Sequence, residues 1–527
     1  MANAQQGAYS VKIDGGNAGD HFGYTMGVCS DSFLSADGLP DIIVGAPEHD
    51  WGGSASGRLT WYSMDGAVAV EVDRIDGATG QRWGAFCLES GADFDGDGWE
   101  EVLFNYSNNG RLLSGFFPHS VLHSFSNHEF DLFTVSDFDG DGVLDIGSFF
   151  QAYNTWDVDK FFVYSGANPS TVLLSFSGPD NYSNTGYQAG PAGDLDGDGF
   201  EDLVVIEANA DDQWISSTGC LYALAGDNPG FGGREIWKFY GEKNYDRLES
   251  VVNVGDWDGD FVDDFAVGSP GVDVGALTDA GRIYVVSGST GLEIDRLDGF
   301  ATGLAMGASR RLAAGDITGD GRAELLVGLP AYDPNSMTDA GAVRIYEWDG
   351  GALQLLFGFD GDNAGDQFGF DIDFGNDLTG DGVADFLASS PNADPNGYAD
   401  AGSVFVFSGT SQGGPVITAP GTASPGTSFP VDLANARPGH VYVLLGGPSD
   451  LGSKILGEYF ELGLPTYVLA VGGEISLTGR MTVSVNVPQP FPGGTPRRIY
   501  LEGLLFNPNG APFDAVTSTN LTSVLVQ

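Results

Sequence analysis

One nine-residue acidic pattern, recurring seven times, limits what this chain can fold into more than any other feature. Its full form is Asp-x-Asp-x-Asp-Gly-x-x-Asp/Glu between two short apolar segments. The clear copies are Asp93, Asp95, Asp97, Gly98 and Glu101; Asp137, Asp139, Asp141, Gly142 and Asp145; and Asp194, Asp196, Asp198, Gly199 and Asp202. Three further copies are altered. Asp256, Asp258, Asp260 and Asp264 enclose Phe261 where the glycine belongs. Threonine takes the third place in Asp316, Thr318, Asp320, Glu324 and in Asp377, Thr379, Asp381, Asp385. A stretched copy, Asp31, Asp37 and Asp41, opens the series. From Asp37 to Asp381 the third acidic places follow one another at 44 to 62 residues. That period is too long for nonapeptide calcium rolls and suits four-stranded propeller blades with generous loops.

Strand signals flank each copy. Ile42-Ile43-Val44, Leu203-Val204-Val205, Phe265-Ala266-Val267 and Leu325-Leu326-Val327 follow the loops as short apolar runs bounded by turns. Later runs at Arg282–Val286, Val343–Tyr346 and Val404–Phe407 are each entered through Asp-Ala-Gly. Helical periodicity is hard to find, so the fold class is all-β: a seven-bladed propeller with Asp-x-Asp-x-Asp-Gly loops, followed by a small β-sandwich. The segment from Asp14 to Gly23 matches the one from Asp360 to Gly369. Leu353–Phe359, ahead of the later copy, reads as the outermost strand of blade six. Residues 9–13 (Tyr9 to Ile13) hold the same place with no blade before them, so they are expected to pair with blade seven and close the ring. The propeller then occupies 1–410 and a Gly-Pro linker 411–415. Alternating strands such as Val441–Leu445, Met481–Val487 and Arg498–Leu501 place the sandwich at 416–527.

Charge removes whole classes of partner. Seventy-three acidic residues against 21 basic ones give a formal charge of −52, which repels nucleic acid and anionic membrane surfaces alike. No run of about 18 apolar residues exists, so membrane insertion is not expected. The 81 glycines and 25 prolines accompany 42% hydrophobic residues, a mixture that fits many tight turns around a core rather than disorder. Cys29, Cys87 and Cys220 match no zinc spacing and read as free buried thiols. No signal-peptide pattern opens the sequence, and Met1-Ala2-Asn3-Ala4 reads as the scar of a cleaved one.

The loops carry the chemistry. Three carboxylates at alternate positions of a tight turn converge, and a carboxylate at position nine closes the cage. Hard oxygen donors in that number suit Ca²⁺, which accepts six to eight ligands in flexible geometry. The glycine at position six allows the sharp turn. Strands flank the loops and Phe104 stands at position twelve of the second copy, so these are not EF-hands. An acidic turn held by Asx-type hydrogen bonds without metal is the competing reading, and it stays open for the first, sixth and seventh copies.

Further residues around the loops point to a known family. Phe22-Gly23 with Gly45-Ala46-Pro47, and Phe368-Gly369 with Ser389-Ser390-Pro391, resemble the FG-GAP repeats of the integrin α-subunit propeller; Gly268-Ser269-Pro270 and Gly328-Leu329-Pro330 fit the same slot. The resemblance covers roughly 8–410. Blades two to four depart from it at Asn105-Tyr106-Ser107, Gly147-Ser148-Phe149 and Glu207-Ala208-Asn209. It implies a backbone carbonyl ligand at position seven: Trp99, Val143, Phe200, Val262, Arg322 and Val383. The loops themselves are expected to hold about five to seven structural Ca²⁺ ions, and the resemblance implies a ligand on the face opposite them. The final segment resembles carboxy-terminal β domains of secreted bacterial proteins.

Catalytic candidates are few. His119, His123 and His128 fit no zinc signature and are expected on exposed outer strands. Gly409-Thr-Ser411-Gln-Gly413 has the nucleophile-elbow pattern but lies in a linker with no helix after it. No catalytic residue is assigned and no enzyme activity is expected. Tyr106, Tyr153, Trp156 and Trp214 are the ligand-binding candidates, against the alternative that such rings pack between blades. These readings describe a secreted or cell-surface, calcium-binding adhesion, recognition or assembly protein that binds a protein or glycan. A lectin-type propeller, an extracellular polysaccharide lyase or hydrolase, and self-assembly into a layer or filament are the rivals.

Overall fold

The computed structural model describes residues 10–409 apart from 30–38, 52, 66–67, 86–87, 107–108, 126–128, 151–158, 179–183, 213–214, 227–232 and 381–382, together with the strand backbones between 416 and 526. The chain forms two compact units, residues 1–317 with 322–409 and residues 318–321 with 410–527. In the first, seven four-stranded antiparallel sheets form a β-propeller. Blade one runs Thr25–Cys29, Asp41–Ala46, Arg58–Asp65 and Val68–Asp76 from inside outward. Blades two to six repeat that order in sequence, from Leu88–Ala92 through Leu353–Asp360. Blade seven takes Ile372–Gly375, Asp385–Ser390 and Ser403–Phe407, and its outer strand is Val11–Asp14, with Val11 opposite Val406 and Ile13 opposite Val404. The ring is therefore sealed by its own first strand, which covers the edge that Ser403–Phe407 would otherwise leave open.

The apolar runs that follow the acidic loops are the second strands, and they are buried on both faces, as in Asp202–Glu207 and Asp264–Ser269. Period-two geometry explains why they need no polar alternation: successive side chains enter the two neighbouring seams. Val204 and Ile206 join Phe265 and Val267 between blades four and five, while Leu203 and Val205 join Phe133 and Phe161 between three and four. Among the described residues there is one such apolar cluster for each of the seven seams. The closing seam packs Val11, Ile13, Leu387, Val404 and Val406 of blade seven with Met26, Ile42 and Val44 of blade one.

Close glycine contacts set the spacing at one end of the seams. A Cβ on Gly84 would stand 2.6 Å from the Gly45 Cα, and one on Gly307 would stand 2.5 Å from the Gly268 Cα. The glycine that introduces one blade thus lies directly on the second-strand glycine of the blade before, where no side chain fits.

The strands of the second unit form a three-stranded sheet, a six-stranded sheet and a two-stranded ribbon. Among the described residues the helical turns are two short 3₁₀ segments, Pro334–Ser336 and Pro395–Gly397. None is long and apolar enough to cross a membrane.

Candidate metal centres

Each acidic loop joins the first strand of a blade to the second, so the loops emerge at one end of the ring and the turns between second and third strands at the other. Blade four shows how the loop is built. Asp194 Oδ1 accepts the N–H groups of Gly197 at 2.7 Å and Asp198 at 3.0 Å, and its Oδ2 accepts Gly199 at 2.9 Å. Asp196 Oδ1 accepts Asp198 N–H at 3.2 Å, and Asp198 Oδ1 accepts Phe200 N–H at 3.0 Å. Blade five repeats this fan of bonds from Asp256, Asp258 and Asp260. Asx-type bonds therefore shape the turn, but they leave each carboxylate with spare lone pairs.

Position six needs a left-handed backbone. Gly98, Gly142 and Gly199 supply it with φ of 94°, 93° and 93°. In blade five Phe261 takes the same conformation at φ 71° and stands 95% exposed, a strained place for a bulky side chain.

Position nine has a second role that motif reading missed. Asp202, fully buried at the start of its strand, accepts Leu195 N–H through Oδ2 at 2.7 Å and Gly226 N–H through Oδ1 at 2.8 Å. Gly226 lies two residues past the third strand, Cys220–Leu224, so one carboxylate ties the loop to the far side of its own blade. Glu101, Asp145, Asp264 and Asp385 make the same pair of bonds, to Gly115, Gly166, Gly288 and Gly409 among others. The signal was in the sequence: Ser-Gly or Ala-Gly follows the third strand in each of these blades. Burial pushes Glu101 and Asp145 up to about 7 and Asp202 and Asp264 up to about 6, opposed by the N–H groups they accept. Asp95 and Asp139 are also raised, by desolvation and then by the neighbouring Asp97 and Asp141.

Five groups bring ligand oxygens within 4.8 Å of one another: Asp93, Asp95, Asp97 and Glu101; Asp137, Asp139 and Asp145; Asp194, Asp196 and Asp202; Asp256, Asp258 and Asp260; and Asp316, Asp320 and Glu324. Asp141, Asp198 and Asp264 stand outside these sets, though each remains in its loop. Thr318 is buried within the sixth loop. In the seventh, Thr379 donates its N–H to Asp385 at 2.7 Å while its hydroxyl is buried without a partner. Asp31, Asp37 and Asp381 lie outside the described residues; Asp41 is buried at the head of its strand. The donor set is oxygen throughout, crowded and anionic, and it fits a hard divalent cation such as Ca²⁺.

The other candidates fall elsewhere. His119 is buried rather than exposed: its ring nitrogens lie 2.9 Å from the Ser114 carbonyl and 2.9 Å from Asp73, and the ring stacks on Trp61 at 4.7 Å. His123 sits on the outer strand against Phe125, and no metal group among the described residues includes either histidine. Cys29 and Cys220 are buried free thiols. Tyr106 packs on Arg111, whose guanidinium carbon lies 4.8 Å from its ring and 5.1 Å from that of Trp83. Tyr153, Trp156, Trp214, His128, Cys87 and Ser411 lie outside the described residues. On the face away from the acidic loops, Trp51 (79%), Tyr245 (67%) and Tyr398 stand exposed. The ring axis holds a cavity of about 390 Å³ lined by Thr25, Met26, Gln188, Arg310, Asp371 and Phe374 among others. Asp371 is committed there, accepting Met26 N–H at 2.8 Å across the closing seam.

A family model for the FG-GAP repeat matches residues 309–346, which hold the sixth acidic loop. Integrin alpha pat-2 of Caenorhabditis elegans is 25% identical over 434 residues, covering 75% of this chain and 31% of that protein. Integrin alpha-PS2 of Drosophila melanogaster is 34% identical over 167 residues, 30% of this chain and 11% of that protein. The chain spans about a third or less of the length of these curated relatives. The fold is a seven-bladed β-propeller. It carries a segment matching the FG-GAP repeat, and its sequence is similar to integrin α chains.

Proposed function

We propose that this chain is an extracellular, non-enzymatic recognition module whose propeller is held in shape by about five to seven Ca²⁺ ions and which docks a protein ligand on the face opposite the acidic loops. In this reading residues 1–410 are the working module, 411–415 the linker and 416–527 a β-sandwich. The observation that carries it is the repetition of one all-oxygen acidic group in five blades, always at the same end of the ring. Crowded carboxylates repel one another, so a bound cation stabilises the folded loop by linkage. The position-nine carboxylates pass that order into the blades. The opposite face is free of this structural task, and the exposed Trp51, Tyr245 and Tyr398 give it the aromatic character of recognition surfaces.

The test is to immobilise the full chain and offer it to animal or bacterial cells and to a glycan array, in calcium and in chelator. Calcium-dependent cell adhesion, lost in Trp51→Ala/Tyr398→Ala without a change in melting temperature, is the expected result. Array binding competed by free sugar would move the reading to a lectin. Depolymerisation of a polysaccharide panel would move it to an enzyme.

A further inference from the structure

The loops of blades two to five carry an acidic residue at every side-chain ligand place, yet they are not equivalent. In blade four Arg234 Nη2 donates to Asp196 Oδ2. Asp196 Oδ1 already accepts Asp198 N–H, so both oxygens of this position-three carboxylate are engaged. At the same place Asp95, Asp139 and Asp258 hold the equivalent N–H at 3.1, 3.2 and 3.2 Å. Among the described residues no basic side chain reaches them. In blade five the added contact is neutral, the Ser289 hydroxyl on Asp260. Arg234 is also held in place by its backbone. Its carbonyl accepts Ala225 N–H at 2.8 Å, and the next residue, Gly226, is the one that donates to Asp202 of the same loop. In a chain with 21 basic residues against 73 acidic ones, a guanidinium fastened beside one metal loop is a specific departure from the repeat.

We propose that Arg234 is a built-in competitor for the cation of blade four, so that this loop fills last among blades two to five. The inference rests on the calcium reading above. A guanidinium satisfies carboxylate oxygens as a hydrogen-bond donor, and Ca²⁺ needs an inner-sphere oxygen at the same place. To bind, the ion must displace Arg234 from Asp196 and then tolerate its charge within a Debye length. The Arg234 side chain is 58% exposed, so the pair is a weak one that opens readily. The effect is a graded affinity rather than a blocked site: about a three- to tenfold higher calcium midpoint. The ring then holds one loop that responds to calcium at concentrations where its neighbours are already full.

The experiment is hydrogen-exchange mass spectrometry on the full chain across a series of buffered free Ca²⁺ concentrations, following peptides that contain 93–101, 137–145, 194–202 and 256–264. The wild-type 194–202 peptide should gain protection about three- to tenfold later than the other three. Arg234→Gln should bring it into line with them and leave their midpoints unmoved, while Arg234→Lys should fall between. Protection in all four loops at a common midpoint, or an Arg234→Gln midpoint equal to wild type, overturns the inference and leaves the calcium reading standing. Protection in none removes both.

Discussion

Replacing Gly226 by alanine tests the contact that every described clasp depends on. A Cβ there would stand 1.9 Å from the Glu201 carbonyl oxygen and 3.0 Å from its carbon, roughly 1.5 Å inside van der Waals contact. Both atoms belong to backbone, so the strands must part. Overpacking of this kind costs about 1–3 kcal/mol. Parting also draws Gly226 N–H away from Asp202 Oδ1, now 2.8 Å distant, and a fully buried carboxylate oxygen left short of a donor adds about 1–3 kcal/mol. The expected loss is about 3–5 kcal/mol. Gly197→Ala is the matched control in the same loop. It has φ 76° and open space around its Cβ, so only left-handed strain of about 1 kcal/mol applies. Urea unfolding at pH 7.5 in saturating calcium, followed by tryptophan fluorescence, compares the two. Gly166 and Gly288, with the same 1.9 Å approach, should behave like Gly226. If Gly226→Ala costs no more than Gly197→Ala, the clasp is not what holds the loop to the blade.

Two further outcomes follow from single residues. Phe261→Gly relieves a left-handed backbone while removing no packing, since the ring is exposed; after the entropy that glycine adds to the unfolded chain, it should stabilise by about 0.5–1 kcal/mol. A destabilisation in the same urea assay would contradict the strain argument. Burial pushes Asp371 up to about 7 against the pull of Arg310 and the Met26 N–H. Its folded pKa lies above the unfolded value, so its contribution is full below about pH 4 and is lost as pH rises through about 7. Asp371→Asn keeps an oxygen for Met26 N–H, and it should raise the melting temperature by a few degrees at pH 8 while changing little at pH 4.5. Parallel melting curves across that range would refute the assignment.

The fold was largely legible because its information is local. The acidic period counts the blades, and the unbroken runs at Ile42–Val44 and Leu203–Val205 mark strands buried on both faces. The matching segments Asp14–Gly23 and Asp360–Gly369 point to the strand that seals the ring. What escaped depends on pairs of residues far apart. The Ser-Gly or Ala-Gly beyond each third strand is a local signal, but its meaning emerges only when that strand is laid beside position nine, as Gly226 is beside Asp202. His119 lies in a segment that reads as exposed, and it is buried only because Asp73 and Trp61 of the preceding blade meet it. The aromatic candidates were sought in the turns of blades two to four, yet Tyr106 is occupied by Arg111. On the face away from the acidic loops, Trp51, Tyr245 and Tyr398 are exposed rings among the described residues. Exposure is a property of the assembled ring, and no residue pattern announces it.

The most direct test is calorimetric titration of Ca²⁺ into chelator-treated full chain, with a thermal melt at each end. Uptake of about five to seven ions with a rise in melting temperature of several degrees or more is the predicted result. Uptake of one ion or none, with an unchanged melt, would contradict the account: the acidic loops would then be turns held by their own Asx bonds alone.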